Sequence, residues 1–486
     1  MVYAMDRQFD GQKIVIIGAG LVGTLGAILF ARRGAHVVVI ERQAQDKIRG
    51  FGNRRSFNIT VSSRGKAALE TAGVWDKIEQ ATIPVTGRMC HEGESTEAFP
   101  YSPDLDLVLH AARRSDVNSK LLEAASSFEG ITFRFGWTVS DLDKATGAIK
   151  IAPIDNPQAE ETIADADFVI GADGINSTVR RLIHKDERAD FAQRYLNWSY
   201  RELPIEAASS AESPWRMDPN SLHIWPRGNV MMFALPNPDG SFAGNFIYPL
   251  EDEADFDVPG RIEKVLQRDF PDVLRLVPDA GERLRATPPS YFPTQRNSKW
   301  FHGSKFVLVG DAAHATVPFY GQGMNSGFES MVELIRCLEA NESQDRAKAF
   351  ETYQRNRKCH TDAVADLSIE NFDELRENIR HVVPQARRRV EVLLHRLFPN
   401  LYVPLHIQVS HSLTGYRTAI DACARRDRTL RFFGFDILVY GFAAASCIGR
   451  AGARVWETVF GRKSQKNTPA AGQSVVLGDH TRSPAE

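Results

Sequence analysis

Lys13-Ile14-Val15-Ile16-Ile17-Gly18-Ala19-Gly20-Leu21-Val22-Gly23 is the stretch on which the reading of this chain turns. A run of branched apolar residues that stops at a glycine cluster is the pattern of a strand buried on both faces in a parallel sheet. Each glycine then has a separate role. Gly18 permits the tight turn, Gly20 lets the backbone approach a pyrophosphate at the positive end of the next helix, and Gly23 lets that helix lie close to the strand. Residues 21–33 supply the helix, Gly34 stops it, and 36–40 form a second branched run that ends at Glu41. Glu41 stands at the distance, roughly 20 residues on, where a carboxylate accepts hydrogen bonds from a ribose. This is a complete β-α-β opening for an adenine dinucleotide.

Working outward, two more carboxylates directly follow strand-like runs. Asp173 comes after 168–170 in a segment that continues through Gly174 to Arg180, and Asp311 comes after 305–309, ahead of Gly321-Gln322-Gly323-Met324-Asn325. Open α/β sheets bind ligands beyond the carboxyl ends of their strands, where Asp311 can accept from polyol hydroxyls. The glycine-rich segment after it offers backbone N–H groups to a phosphate or to an electron-rich ring edge. A local ion pair pinning a turn is the competing reading for Asp173 and Arg180, and His314 reads as a packing residue.

Composition bounds the partners. Among 486 residues, 59 Lys+Arg stand against 61 Asp+Glu, a formal net charge of -2, so no basic field exists to hold a polyanion and nucleic-acid binding is excluded as the main function. The five cysteines, Cys90, Cys337, Cys359, Cys423 and Cys447, are odd in number and lack any C-x-x-C spacing. Neither a disulfide framework nor a metal site is expected, and the compartment implied is reducing, hence cytoplasmic. Residues 1–11 carry Asp6, Arg7 and Asp10 and read as a polar leader, not a secretory signal. A bilayer span wants about 20 mostly apolar residues. The stretch 432–451 is broken by Asp436 and holds Gly434, Gly441 and Gly449, so it reads as a helix packed on the protein in preference to a membrane-associating segment.

Taken together, the three strand-end segments resemble those of the class A flavoprotein aromatic hydroxylases. Within that class the chain is similar to the kynurenine 3-monooxygenase family from about residue 12 to about 420. Asn53-Arg54-Arg55-Ser56-Phe57-Asn58 resembles the family's Arg-Gly-Arg-Ser-Ile-Asn loop beside the flavin, with Arg55, Ser56 and Asn58 kept. Leu222-His223-Ile224-Trp225-Pro226-Arg227, Ala234-Leu235-Pro236-Asn237, Pro318-Phe319-Tyr320-Gly321-Gln322-Gly323-Met324-Asn325 and Asp366-Leu367-Ser368 also match.

The resemblance implies an α/β fold: a Rossmann-type, GR2-like FAD-binding domain over 12–185 and 296–360, with 86–110 contributing to the substrate pocket. It further implies an antiparallel substrate domain over 186–295, a C-terminal helical covering region over 361–462 and a disordered tail over 463–486. FAD would be the resident cofactor. NADPH would be a co-substrate bound without its own glycine fingerprint, since no second one occurs. Gly18, Gly20, Gly23, Glu41, Arg42, Arg55, Arg114, Asp173, Arg180, Asp311, Gly323, Met324 and Asn325 would serve the cofactors. The amino-acid end of a small aromatic substrate would be held by Arg88, Tyr101, Asn371 and Tyr416, with Phe319 and Trp225 as pocket walls. Arg88 can grip a carboxylate bidentately and the others add neutral donors and acceptors.

The implied reaction is hydroxylation of L-kynurenine to 3-hydroxykynurenine by O₂ through a flavin C4a-hydroperoxide. The ortho-amino group already activates the ring, so no acid or base is assigned. One departure is His406, in Pro404-Leu405-His406, where the family has tyrosine. It leaves open a related hydroxylase acting on a modified kynurenine, an anthraniloyl compound or a phenolic secondary metabolite.

Overall fold

The computed structural model describes residues 8–49, 58–93, 95–102, 107–209, 213–341, 345–376, 382–432 and 434–444. Its organising element is the opening strand. Lys13–Ile17 pairs in parallel with His36–Glu41 on one side and Phe168–Gly171 on the other, and Ile14, Val15 and Ile16 are fully buried. Phe306–Leu308 lies beyond Phe168–Gly171, Ile131–Phe135 lies beyond His36–Glu41, and Phe301–His302 closes the six-stranded sheet as an antiparallel edge. The three strands that end in Gly18, Ala172-Asp173 and Gly310-Asp311 are therefore neighbours, and their carboxyl ends share one rim of the sheet.

The glycine turn at that rim is sterically specified. Gly18 has φ of +105°, and a Cβ there would sit 2.5 Å from the Ala172 carbonyl oxygen. Helix Leu21–Ala31 begins directly after the turn and packs so closely that a Cβ on Gly23 would be 1.9 Å from the Gly18 oxygen.

A second, seven-stranded sheet runs in the order Ser290–Asn297, Phe191–Glu202, Phe242–Pro249, Met231–Pro236, Ser221–Pro226, Gly87–Glu92, Ser95–Pro100. Its last two strands come from the N-terminal part of the chain, and Gly87–Glu92 joins parallel to Ser221–Pro226 with Arg88 opposite Leu222. Period-two alternation separates the faces. Trp225, Met232, Phe246 and Tyr248 pack under the helices Arg261–Asp269, Pro271–Leu276 and Ala280–Ala286. Ile224, Met231, Ile247 and Phe292 face the other way, toward Phe319 and Phe372. The expectation that Trp225 forms a pocket wall is thereby corrected, since it is one residue out of phase with the pocket face. Its indole N–H donates to the Asp272 carboxylate at 2.7 Å.

The C-terminal part is helical: Arg346–Arg376, Val382–Leu397, Leu405–Ser410, Tyr416–Phe432 and 435–444. In the apolar stretch 432–451, Phe435, Val439 and Ala443 pack with Ala386 and Val390 of the helix Val382–Leu397. Phe432, Ile437 and Tyr440 are exposed, and no helix among the described residues is long and apolar enough to cross a membrane. Residue 433, residues 445–451 and the expected tail 463–486 lie outside the described residues.

Three histidines, His314 buried and His91 and His406 half-buried, sit in different parts of this framework. His91 stacks on Trp225 with ring centroids 4.1 Å apart, His314 shares a 2.9 Å hydrogen bond with the Ser330 hydroxyl, and His406 lies within 3.3 Å of the Tyr101 carbonyl oxygen. Burial is the leading cause that pushes each of them down to a pKa of about 3. The unfolded chain takes up these protons near pH 6.5. Their share of stability is thus complete above that pH and is lost as pH falls toward 3, at up to about 1.4 kcal/mol per pH unit per histidine. We expect Tm to drop steeply between pH 6.5 and 4.5. His314→Gln should flatten that slope, and a Tm independent of pH across this window would refute the assignment.

Candidate active site

Between the two sheets lies a cavity of about 400 Å³. At one end it is lined by Gly20, Leu21, Gly174, Asp311, Gly323 and Met324, and at the other by Arg88, Tyr101, Leu222, His406, Tyr320 and His411. The apolar face of the second sheet, with Ile224, Met231 and Phe292, and the ring of Phe319 form the wall between them.

The first end is built for an anionic, hydroxyl-rich group. Helices Leu21–Ala31 and Gly323–Ala340 both start at the cavity, and neither has a side-chain cap. Their first N–H groups and positive dipole ends are therefore free to serve a ligand. A Cβ on Gly20 would meet nothing within 4 Å, so the space over this glycine is open. Glu41 is buried and accepts from the amides of Ala19 and Gln43, each at 2.8 Å, which fixes the glycine turn to the end of the second strand. The Asp311 carboxylate has no hydrogen-bond partner among the described residues; burial raises its pKa and Arg114 opposes that shift. An orphaned carboxylate, two uncapped helix ends and an open glycine are what an adenine dinucleotide with a polyol chain requires, so the residues present fit FAD.

Other expected cofactor residues act at one remove. Asp173 lies off the cavity lining and accepts from the Ser177 hydroxyl and from the amides of Thr178 at 2.7 Å and Val179 at 3.1 Å, capping the helix Thr178–His184. Arg180 donates to the carbonyls of Ala312 at 3.1 Å and Ile175 at 2.8 Å, tying the two strand-end segments together. Both side chains thus brace the strand-end segments, and the charge of Asp173 still acts on Arg180, as the reading of a locally pinned turn expects. Asn325 is likewise buried in the wall: its amide donates to the Thr60 and Gly321 carbonyls, both at 2.8 Å, and its oxygen accepts from the Ser62 amide at 3.0 Å. Arg42 is exposed and Arg55 lies outside the described residues.

The second end is cationic. Nε and Nη1 of Arg88 are buried without a hydrogen-bond partner among the described residues. The remaining bonding of this guanidinium includes the Tyr101 hydroxyl, whose pKa burial raises and Arg88 pulls back. Arg388, read in the sequence as part of a plain basic run, adds a second guanidinium field, and its own pKa is lowered by burial and by Arg88. Glu374 lies 3.7 Å from Arg388, leaving this end with one uncompensated positive charge among these three groups.

His406 has a defined tautomer. The Tyr101 carbonyl can only accept, so Nε2 carries the hydrogen across the 3.3 Å contact. The ring is neutral at ordinary pH, because burial, Arg388 and Arg88 hold its pKa at about 3. Nδ1 therefore remains as an acceptor, in place of the donor-acceptor hydroxyl of a tyrosine.

Two expected substrate contacts do not line the cavity. Asn371, on the 31-residue helix Arg346–Arg376, spends its amide on the Phe319 carbonyl at 2.6 Å. Tyr416 donates to the Gln322 side chain at 2.9 Å and is fully buried. Helix phase and packing turn both toward the back of the cavity wall. Conversely, Tyr320, Ser410 and His411 line it without having been singled out; only Tyr320 lay inside a family-like motif.

Comparison with known proteins agrees with this architecture. The FAD binding domain family matches residues 12–368. A kynurenine 3-monooxygenase of Salinispora arenicola is 36% identical over 449 residues, covering 91% of this chain and 98% of that protein. That of Dictyostelium discoideum is 36% identical, covering 84% of this chain and 90% of its own. Among solved structures, the tetrameric form of 2-methyl-3-hydroxypyridine-5-carboxylic acid oxygenase superposes with a TM-score of 0.61 at 20% identity, covering 78% of this chain and 96% of that one. PqsL, a probable FAD-dependent monooxygenase from Pseudomonas aeruginosa, gives 0.59 at 18% identity, covering 79% and 99%. With a dinucleotide site that fits FAD, and with relatives this similar over nearly their whole length, the chain belongs to the kynurenine 3-monooxygenase family of FAD-dependent aromatic hydroxylases and is an FAD-dependent monooxygenase.

Proposed function

We propose that this enzyme hydroxylates L-kynurenine to 3-hydroxykynurenine. The observation that carries the reading is Arg88: a guanidinium with two buried nitrogens that have no partner among the described residues, at the far end of the cavity from the FAD residues, calls for a carboxylate on the ligand. Arg88 and the Tyr101 hydroxyl take that carboxylate, and Nδ1 of His406 accepts from the α-ammonium. The apolar stretch formed by Ile224, Met231, Phe292 and Phe319 holds the aromatic ring between the anchoring groups and the cofactor end.

Gly18, Gly20, Gly23, Glu41, Arg114, Asp311, Gly323 and Met324 would hold FAD, with Asp173, Arg180 and Asn325 bracing them. When bound, the flavin supplies the redox chemistry, passing electrons from NADPH to O₂ and delivering one oxygen atom to the ring. The protein's part is to orient the ring and to exclude water with the apolar wall. No side chain is asked to move a proton from the substrate, whose amino group activates the ring. We assign the cofactor domain to 12–185 and 296–360, the substrate domain to 186–295 and the C-terminal covering region to 361–462, of which 445–462 lie outside the described residues.

The test is NADPH oxidation by the FAD-loaded enzyme with and without L-kynurenine, with products identified by mass. Stimulated oxidation with 3-hydroxykynurenine is expected. Stimulation that yields peroxide alone would transfer the substrate role to a modified kynurenine or an anthraniloyl relative, and no stimulation would sink the reading.

A further inference from the structure

Arg64 lines no part of the cavity, yet it touches elements that form three of its walls. It sits on the helix Ser63–Thr71, which directly follows the cavity strand Asn58–Val61, and its side chain has no exposed surface. Nε donates to the Val409 carbonyl at 3.0 Å, and Nη2 donates to the Gln408 carbonyl at 3.3 Å and to the Thr414 carbonyl. Nη1 pairs with Glu329 at 2.8 Å, on the helix Gly323–Ala340 that opens at the cofactor end. The other oxygen of Glu329 lies 2.7 Å from Nη1 of Arg357.

Two of the three carbonyls that Arg64 takes are ones a short helix leaves without a backbone donor, and that of Gln408 also accepts from the Ser412 hydroxyl at 2.7 Å. Gln408 and Val409 lie in the last turn of Leu405–Ser410, the six-residue helix that brings His406 and Ser410 to the cavity. Buried carbonyls of this kind need a donor, and a planar fork with five N–H groups can serve several of them and a carboxylate at once. The guanidinium also lies 4.0 Å over the ring of Tyr416. The Tyr416 hydroxyl reaches Gln322, the residue just before the helix that starts at Gly323. On the other side, a Cβ on Gly65 would be 2.2 Å from the Asn325 side-chain oxygen, so the helix that carries Arg64 is pressed against the same helix start.

We propose that Arg64 is a positioning residue that sets the C-terminal wall of the cavity, 405–414, against the cofactor-binding helix, and so controls how well the bound ring is aligned and shielded during oxygen transfer. Neither substrate nor cofactor touches it. The proposal uses the kynurenine reading only in choosing the assay substrate.

Two variants test it. Arg64→Lys keeps a charge opposite Glu329 but lacks the fork, and Tyr416→Phe removes only the hydroxyl bonded to Gln322. In both FAD-loaded variants, hydroxylated product per NADPH should fall while peroxide per NADPH rises. For Arg64→Lys the fall should be about 10-fold or more, since misplacement by about 1 Å can cost up to ~100-fold. Amide exchange should rise in 405–416 and remain as in the parent elsewhere. A purely structural role would instead lower Tm and raise exchange throughout the chain with the product-to-peroxide ratio unchanged; an unchanged ratio in a kynurenine-stimulated enzyme, or a rise in exchange that is uniform or absent, overturns the proposal. If the parent enzyme is not stimulated by L-kynurenine at all, the substrate reading fails by itself, and the localised exchange decides the role of Arg64.

Discussion

Arg88→Met weakens binding of the carboxylate-bearing substrate by about 30-fold to 5,000-fold and at the same time raises the Tm of the substrate-free enzyme. Both effects have one cause. Nε and Nη1 of Arg88 are buried without partners among the described residues, and Arg388 adds like charge nearby. An uncompensated buried charge destabilises the fold, and its replacement by an apolar chain of similar length is often stabilising. With ligand present the balance reverses, because losing one partner of a buried, hydrogen-bonded ion pair costs about 2–5 kcal/mol. Titration of flavin fluorescence with L-kynurenine, beside a melting curve of the ligand-free protein, checks the pair of outcomes. Unchanged affinity would remove Arg88 from the substrate site, and a lowered Tm would show that its guanidinium is already satisfied.

Gly23→Ala and Gly20→Ala should part company. A Cβ on Gly23 would be 1.9 Å from the Gly18 carbonyl oxygen and 3.3 Å from the Ile16 side chain, both fixed parts of the sheet rim. The helix Leu21–Ala31 must then back away from the strand, at the upper end of the roughly 1–3 kcal/mol usual for overpacking or beyond it. We expect a protein that melts well below the parent and is purified without flavin. At Gly20 the added Cβ meets no protein atom, so Tm of the flavin-free protein should hold. The methyl group projects instead into the space where the pyrophosphate approaches the backbone, and FAD affinity should fall about 10-fold or more, in line with ~1.4 kcal/mol per decade. Equal Tm losses for the two variants would mean that the open space over Gly20 is not the cofactor path.

Which of the expected residues the structure brings to the cavity follows the range of the interactions behind each expectation. Gly18, Gly20, Gly23 and Glu41 were assigned from spacing within one β-α-β unit, and the structure holds them in one turn through the Ala19 amide and the Glu41 carboxylate. Asp173 and Asp311 were correctly placed after strands, but spacing could not say which one faces the cavity. That depends on where the Ser177 hydroxyl and the Thr178 and Val179 amides lie, since they absorb the Asp173 carboxylate. Asn371 and Tyr416 were assigned by resemblance alone, and helix phase turned both away from the cavity and onto the Phe319 carbonyl and the Gln322 side chain.

By itself, then, the sequence determined the dinucleotide-binding opening, because that rests on glycine geometry and on a carboxylate a few residues from a strand, where the chain's covalent spacing fixes the distances; the choice of FAD and of the family rested on the resemblance carried by the three strand-end segments together. The tertiary structure decided the other end of the site. Arg88 reaches the cavity because Gly87–Glu92 is added in parallel to a sheet built more than a hundred residues later, opposite Ser221–Pro226. His406 becomes a neutral acceptor only because the fold buries it beside Tyr101, Arg88 and Arg388. Arg64 and Glu329 meet across a separation of 265 residues. Desolvation and long-range pairing have no signature in local spacing, and these are the terms that set the charge, the tautomer and the alignment of the substrate pocket.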